Sequence, residues 1–145
     1  MTFRRAIGAI VLDKNNNIIS FQRTDFPESW QEPEGGIDNE ETPIDALYRE
    51  LYEEININKD DFEIIKETRN FIQYLFPNGQ KFGYDGQEKK FFLIKLNKDK
   101  NFKFDNTEEV EFSNYKNMTA EELLNSVPKF KKEIYKTVLE EFGLL

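Results

Sequence analysis

The chain has 145 residues and a net charge of −8, and it contains no cysteine and no histidine. These absences exclude disulfides, thiolate metal sites and histidine-dependent catalysis, so a general base must be a carboxylate, a lysine or a tyrosine. The acidic balance disfavours DNA as a partner, and without a signal peptide or an apolar span we expect a cytoplasmic protein with no membrane contact.

The N-terminal part of the chain is predicted to form a β-hairpin. Apolar runs over residues 5–12 and 18–23 have the length of strands, and the asparagine-rich residues 14–17 between them are typical of a turn. A loop that contains several prolines and glycines follows, and it carries Trp30. We therefore expect two paired strands followed by an irregular loop.

A helix is predicted after this loop. Thr42 and Asp45 have the spacing of a capping box, and Pro43 suits the first helical position. The predicted buried stripe consists of residues at helical spacing, namely Ile44, Leu47, Leu51 and Ile55. Asn56 stands where the helix should end, because Asn tolerates the left-handed conformation that closes many helices.

The second half of the chain is predicted to mix strands and helices. Strands are expected within residues 64–76, over 90–96 and near 111–116, with turn signals at Asn78-Gly79 and Asp85-Gly86 between the first two. These strands do not alternate regularly with helices, which argues against a doubly wound sheet.

Two helices are predicted near the C-terminus. Thr119 can cap a short helix over residues 120–125, and an amphipathic helix is expected over 128–142. Its predicted core face consists of Phe130, Ile134, Val138 and Phe142. Together with the strands, this pattern predicts one α+β domain over residues 1–145.

Three glutamates on the first predicted helix carry the main chemical signal. Glu50, Glu53 and Glu54 stand at i, i+3 and i+4, which places their carboxylates on one face, roughly opposite the apolar stripe and turned away from the core. Like charges so close repel one another unless a hard cation such as Mg²⁺ or Mn²⁺ binds them. Arg49 is suited to orient one of them, and Glu41 lies near the helix N-terminus, where an anion is favoured.

The spacing of these residues resembles the Nudix box. From Gly35 to Ile57 it reads Gly-x5-Glu-x7-Arg-Glu-Leu-x-Glu-Glu-x-Asn-Ile, with Asn56 in place of the second box glycine. The resemblance implies an α/β/α sandwich around a central mixed β-sheet, and attack of metal-activated water on a phosphoanhydride. By position it implies Mg²⁺, with Mn²⁺ as a substitute, on Glu50, Glu53, Glu54 and a main-chain carbonyl at Glu34 or Gly35. It also makes Arg49 an orienting partner and Glu41 a supporting acid.

The resemblance extends over nearly the whole chain to the bacterial RNA pyrophosphohydrolases and the related diadenosine polyphosphate hydrolases. The similar segments are Trp30-Gln31, residues 67–74, 86–93 and 127–132, and Tyr135. Enzymes of this subgroup trim triphosphorylated RNA 5′ ends, a step in mRNA decay, or split dinucleoside polyphosphates. The substrate contacts implied by position are Arg4, Arg23, Ser29, Tyr74, Phe130 and Lys131. Glu109 would be a distant carboxylate that completes the metal site or acts as base, with Glu108 and Glu111 as alternatives.

Two residues depart from the subgroup pattern. Glu32 and Glu34 stand where an aromatic or aliphatic residue and a glutamine are usual, and two extra acids beside the metal loop are expected to weaken contacts to a second nucleotide. Structural roles also compete with the functional ones: strand-end charges for the two arginines, and packing for Tyr74 and Phe130.

The sequence therefore favours an RNA 5′-pyrophosphohydrolase over three alternatives. These are a diadenosine polyphosphate hydrolase, a housecleaning nucleoside-triphosphatase, and a catalytically silent module that binds a nucleotide or a protein. A silent module would be expected to lose acids of the box, and all of them remain here. The oligomeric state, monomer or dimer, is left open.

Overall fold

The computed structural model describes residues 1–145 and contains eight strands and three helices. The strands are β1 (Phe3–Leu12), β2 (Ile18–Arg23), β3 (Trp30–Gln31), β4 (Glu34–Gly36), β5 (Phe62–Glu67), β6 (Ile72–Leu75), β7 (Gly86–Leu96) and β8 (Phe112–Asn117). The helices are α1 (Pro43–Ile55), α2 (Ala120–Ser126) and α3 (Lys132–Glu141). None of these helices combines the length and the apolar character that a membrane crossing requires.

All eight strands join one mixed sheet. Its centre is the parallel pair of β1 and β7, which runs in register from Phe3 opposite Gly86 to Leu12 opposite Lys95. Every other pairing is antiparallel: β2 and β4 lie along β1, β5 and β6 lie along β7, and β3 and β8 lie along β2. The predicted mixed sheet is confirmed.

Helices cover both faces of this sheet. Successive side chains of a strand point to opposite faces, so Ile7, Ala9 and Val11 of β1 pack with α1 while Ile10 and Leu12 pack with α2 and α3. The result is two separate hydrophobic clusters with the sheet between them. The predicted α/β/α sandwich is therefore confirmed.

Helix α1 begins and ends as the sequence predicts. Thr42 Oγ1 accepts a hydrogen bond from Asp45 N at 3.1 Å, and the Asp45 carboxylate accepts one from Thr42 N at 3.3 Å. Asn56 closes the helix in the left-handed conformation, with φ 57° and ψ 44°. One position of the stripe is wrong: Ile44 is exposed, because Ala46 and Leu47 face the sheet in the first turn.

Two element boundaries differ from the prediction. Strand β7 begins at Gly86 rather than Lys90, because its first residues pair with the beginning of β1. The last helix begins at Lys132, after a 3₁₀ turn over Lys129–Lys131. Phe130 lies in that turn and is 44% exposed, so its placement on the core face was wrong.

Candidate active site

A cleft of about 750 Å³ lies beside the N-terminal ends of β1 and β7. Its volume is within the range of about 300–1,000 Å³ that small-molecule sites occupy. All six residues that the sequence assigned to substrate contact line it, namely Arg4, Arg23, Ser29, Tyr74, Phe130 and Lys131. Gly35 of β4 lines it as well, and joins the cleft to the acidic residues of α1.

Arg49 ties helix α1 to β4. Its guanidinium donates hydrogen bonds to the Glu41 carboxylate at 2.8 and 2.9 Å, to Glu50 at 2.8 Å and to the carbonyl of Gly36 at 2.8 Å. The bonds to Arg49 lower the pKa of Glu41, whose carboxylate also accepts from the main-chain N–H of Asp38 at 2.8 Å. The acids of the helix and the glycines of the loop are thus held as one unit.

The glutamates of α1 are less exposed than the sequence suggested. Glu54 is only 7% exposed, so the expectation that all three carboxylates face away from the core was wrong. The reason is that β4 covers this face of α1: a Cβ added at Gly35 would collide with the Glu50 carboxylate. Burial raises the pKa of both Glu50 and Glu54, and for Glu54 the adjacent charge of Glu50 raises it further. Glu53 keeps more contact with solvent.

The buried carboxyl pair fits a hard divalent cation. Oε2 of Glu54 is buried and has no hydrogen-bond partner, which costs free energy that a bound ion would offset. All nearby donors are oxygens, as ions such as Mg²⁺ prefer. Arg49 holds Glu50 at 2.8 Å and Glu53 at 3.5 Å, and no three acidic side chains converge on a single point in this arrangement. The site therefore centres on Glu50, Glu54 and the backbone at Gly35.

The acid from the far side of the cleft is Glu111 rather than Glu109. Glu109 is exposed and does not line the cleft, whereas Glu111 lines it and its charge raises the pKa values of Glu54 and Lys131. The reason is local: the Thr24 main-chain N–H donates to the Glu111 carbonyl at 3.0 Å, which fixes this segment against the end of β2. The structure thus favours one of the two alternatives that the sequence left open.

Fixed cations line the other walls of the cleft. Arg23 forms a bidentate pair with Asp25, at 2.8 and 2.6 Å. Lys131 Nζ donates to Gln31 at 3.4 Å and to Glu34 at 3.3 Å, and burial lowers its pKa to about 8. The cleft therefore offers positive groups to an anion although the chain as a whole is acidic.

Sequence reasoning missed the partner of Glu34. Lys89 of β7 is 3% exposed and forms an ion pair with the Glu34 carboxylate, which also accepts a hydrogen bond from the Tyr135 hydroxyl at 2.6 Å. Burial and then the charge of Lys131 lower the pKa of Lys89. A lysine inside an otherwise apolar strand was the available signal, but it named no partner.

The expectation that Glu32 and Glu34 weaken substrate contacts was wrong. Glu34 is neutralised by two lysines, Lys89 and Lys131. Glu32 is fully buried and does not line the cleft; the Ser20 hydroxyl donates to its Oε1 at 3.3 Å, and its Oε2 has no partner. Neither acid presents an uncompensated charge to a ligand.

We expect Glu32→Gln to stabilise the protein, and the gain to grow with pH. Burial raises the pKa of Glu32 well above its usual value, so the folded state holds a proton that the unfolded state releases above about pH 4.5. The free energy of unfolding of the wild type therefore falls as pH rises through that value. At pH 8 we expect a gain on the order of 2 kcal/mol, the cost of burying an unpaired polar group.

Urea unfolding of both proteins at pH 4 and pH 8 measures this difference. Glu28→Gln, at an exposed position, is the matched control and should change stability little at either pH. An equal effect of Glu32→Gln at both pH values would contradict a protonated Glu32.

Comparison with known proteins identifies the family. The NUDIX domain family matches residues 2–142. An RNA pyrophosphohydrolase of a Nitratiruptor species is 42% identical over 147 residues, with 97% of this chain and 93% of that protein covered. One from Helicobacter pylori is 34% identical, with the same coverage of 97% and 93%.

Solved structures share the fold at low sequence identity. A C. elegans Ap4A hydrolase binary complex has a TM-score of 0.68 at 20% identity and covers 95% of this chain and 98% of its own. The E. coli dihydroneopterin triphosphate pyrophosphohydrolase has a TM-score of 0.74 at 16% identity, with coverage of 97% and 99%. With the box residues assembled around Arg49 and a family match over almost its full length, the chain belongs to the NUDIX family.

Proposed function

We propose that this protein is an RNA 5′-pyrophosphohydrolase that converts 5′-triphosphate ends to 5′-monophosphates. The observation that carries the proposal is the cleft, in which fixed cations and exposed aromatic rings adjoin a buried glutamate pair. Two relatives with 42% and 34% identity over 97% of this chain carry the name RNA pyrophosphohydrolase. We further propose that it acts in the cytoplasm, in mRNA decay, where such RNA ends occur.

The glutamate pair is proposed to hold Mg²⁺, with Mn²⁺ as a substitute. Glu50, Glu54 and the carbonyl of Gly35 would be its ligands, because they supply hard oxygen donors in a buried place. Such an ion, when bound, neutralises the diphosphate and makes a bound water more acidic. Glu41 and Arg49 keep these donors in position from outside.

The remaining residues of the cleft bind and orient the substrate. Arg4, Arg23 and Lys131 are proposed to contact the phosphates, since their charges line the cleft and two of them are held by neighbouring side chains. Tyr74 and Phe130, with ring centroids 6.1 Å apart, offer an aromatic surface to a base, with Ser29 nearby.

Proton transfer is assigned to Glu53. Its carboxylate contacts Arg49 only at 3.5 Å and keeps access to solvent, so it can accept the proton of the attacking water. Glu111, across the cleft, would contribute a further negative charge near Glu54 and Lys131.

A second candidate is a dinucleoside polyphosphate hydrolase. It is favoured by the presence of exposed aromatic rings on different segments of the cleft wall, among them Phe26, Phe82 and Phe130. A substrate with two bases would use more than one of these rings.

Product analysis distinguishes the two candidates. The protein is given 5′-triphosphorylated RNA and diadenosine tetraphosphate separately, at equal concentration, with Mg²⁺. We expect faster conversion of the RNA end to monophosphate, and loss of activity with EDTA. Cleavage of the dinucleotide alone would assign the protein to the second candidate.

A further inference from the structure

Phe82 has an unusual conformation at the mouth of the cleft. It is 61% exposed and has φ 56°, in the left-handed region that a bulky side chain rarely adopts. Such strain persists only where the surrounding structure holds it, and it is concentrated at ligand-binding sites. An exposed ring held in this way calls for a reason other than packing.

The segment that carries Phe82, residues 76–85 and here called the Phe82 arm, is firmly anchored. The main-chain N–H of Phe76 donates to the Asp85 carbonyl at 3.0 Å, and Lys81 and Tyr84 exchange backbone hydrogen bonds at 3.0 and 2.9 Å. The Asp85 carboxylate accepts from the Thr2 N–H at 2.8 Å. These bonds fix the ring relative to the start of β1.

A cation from β1 lies over the Phe82 ring. The Arg4 guanidinium is 4.7 Å from the ring centroid, and Lys81 Nζ is 5.1 Å from it. Gly36 leaves room for Arg4, because a Cβ there would collide with the guanidinium. Arg4 and Phe82 both line the cleft, and the exposure of the ring leaves much of it open to a planar ligand.

We propose that Phe82, backed by Arg4, is a stacking platform for a second base of the RNA substrate, separate from the Tyr74–Phe130 surface that takes the first. This inference rests on the proposed function. Stacking on aromatic side chains is tolerant of base identity, and neighbouring cations serve the accompanying backbone phosphate. Lys81 supplies such a cation beside the ring. In a dinucleoside polyphosphate, by contrast, every phosphate lies between the two nucleosides and is drawn to the Glu50–Glu54 end of the cleft.

The test uses variants that separate the ring from the conformation of the arm. Phe82→Asn removes the ring but keeps a residue that tolerates positive φ, whereas Phe82→Trp keeps an aromatic surface. Leu75→Ala is the matched control, since Leu75 is an exposed apolar residue of the adjoining β6 that does not line the cleft. Steady-state kinetics compare a 5′-triphosphorylated tetranucleotide RNA, adenosine triphosphate and diadenosine tetraphosphate.

For Phe82→Asn we expect the KM of the RNA to rise about tenfold, the usual loss when one stacking side chain is removed, with kcat changed less than about twofold. The KM of adenosine triphosphate should stay within about twofold, because it has only one base. Phe82→Trp and Leu75→Ala should behave like the wild type on all three substrates.

Three outcomes would overturn the platform. An unchanged KM for the RNA would remove the role of the ring, and an equal rise for adenosine triphosphate would assign the ring to the first base. A rise for diadenosine tetraphosphate but not for the RNA would assign the platform to dinucleotides. If the wild type does not cleave the RNA at all, the proposed function has failed, which is visible without any variant, and the platform falls with it.

Discussion

Glu54→Gln is expected to lower kcat by roughly 100- to 1,000-fold while making the protein more stable. The loss follows from removing a proposed ligand of the metal, whose charge stabilisation amounts to several kcal/mol. The gain follows from the burial of Glu54: its carboxylate lies against Glu50, and one oxygen has no partner. A neutral amide removes the repulsion between the two side chains.

The stability measurement requires EDTA, because a bound cation would favour the charged side chain and reverse the sign. Under those conditions we expect urea unfolding to show a gain of about 1–2 kcal/mol for Glu54→Gln. Glu53→Gln is the matched variant on the same helix: it should also lose activity, but its exposed side chain should give little gain in stability.

Glu121→Gln, on the exposed side of α2, should change neither quantity. If Glu54→Gln remained active, Glu54 could not be a ligand. If it lost activity and stability together, the carboxylate would have a structural partner that the fold does not show. This opposition between activity and stability is typical of sites whose charges await a ligand.

The elements of this fold were predictable where one local pattern decides the structure. The limits of β2 were correct, and the start and end of α1 follow from the capping box at Thr42 and the left-handed Asn56. Both are short-range signals, since each depends on hydrogen bonds within a few residues. Where a boundary depends on a distant strand, as for β7 against β1, the prediction was four residues short.

The same distinction applies to the site. The spacing of the box named the acids of α1, but it could not show that β4 would cover them, because that contact joins residues far apart along the chain. The choice between Glu109 and Glu111 was likewise decided by hydrogen bonds to Thr24. A helical pattern indicates which residues share a face, and only the packed structure indicates whether that face is wet.

The pairing of Glu34 with Lys89 was also invisible to the sequence, and it supports the second large prediction. We expect Glu34→Gln to destabilise the protein by about 3–5 kcal/mol, because two buried lysines lose their shared carboxylate. Lys89→Gln should cost only about 1–2 kcal/mol, since Glu34 keeps Lys131 and the Tyr135 hydroxyl. The double variant should lie within about 1 kcal/mol of the wild type, because two amides can pair without charge.

Urea unfolding of the four proteins gives the coupling free energy between the two side chains. The pH dependence gives a second sign: burial lowers the pKa of Lys89, so the unfolded state binds more protons and the stability of Glu34→Gln should rise from pH 7 to pH 9. Losses that simply add in the double variant would show that the two side chains do not interact. Equal losses in the two single variants would show that Lys131 does not share the carboxylate, and would leave that lysine without its anchor in the cleft.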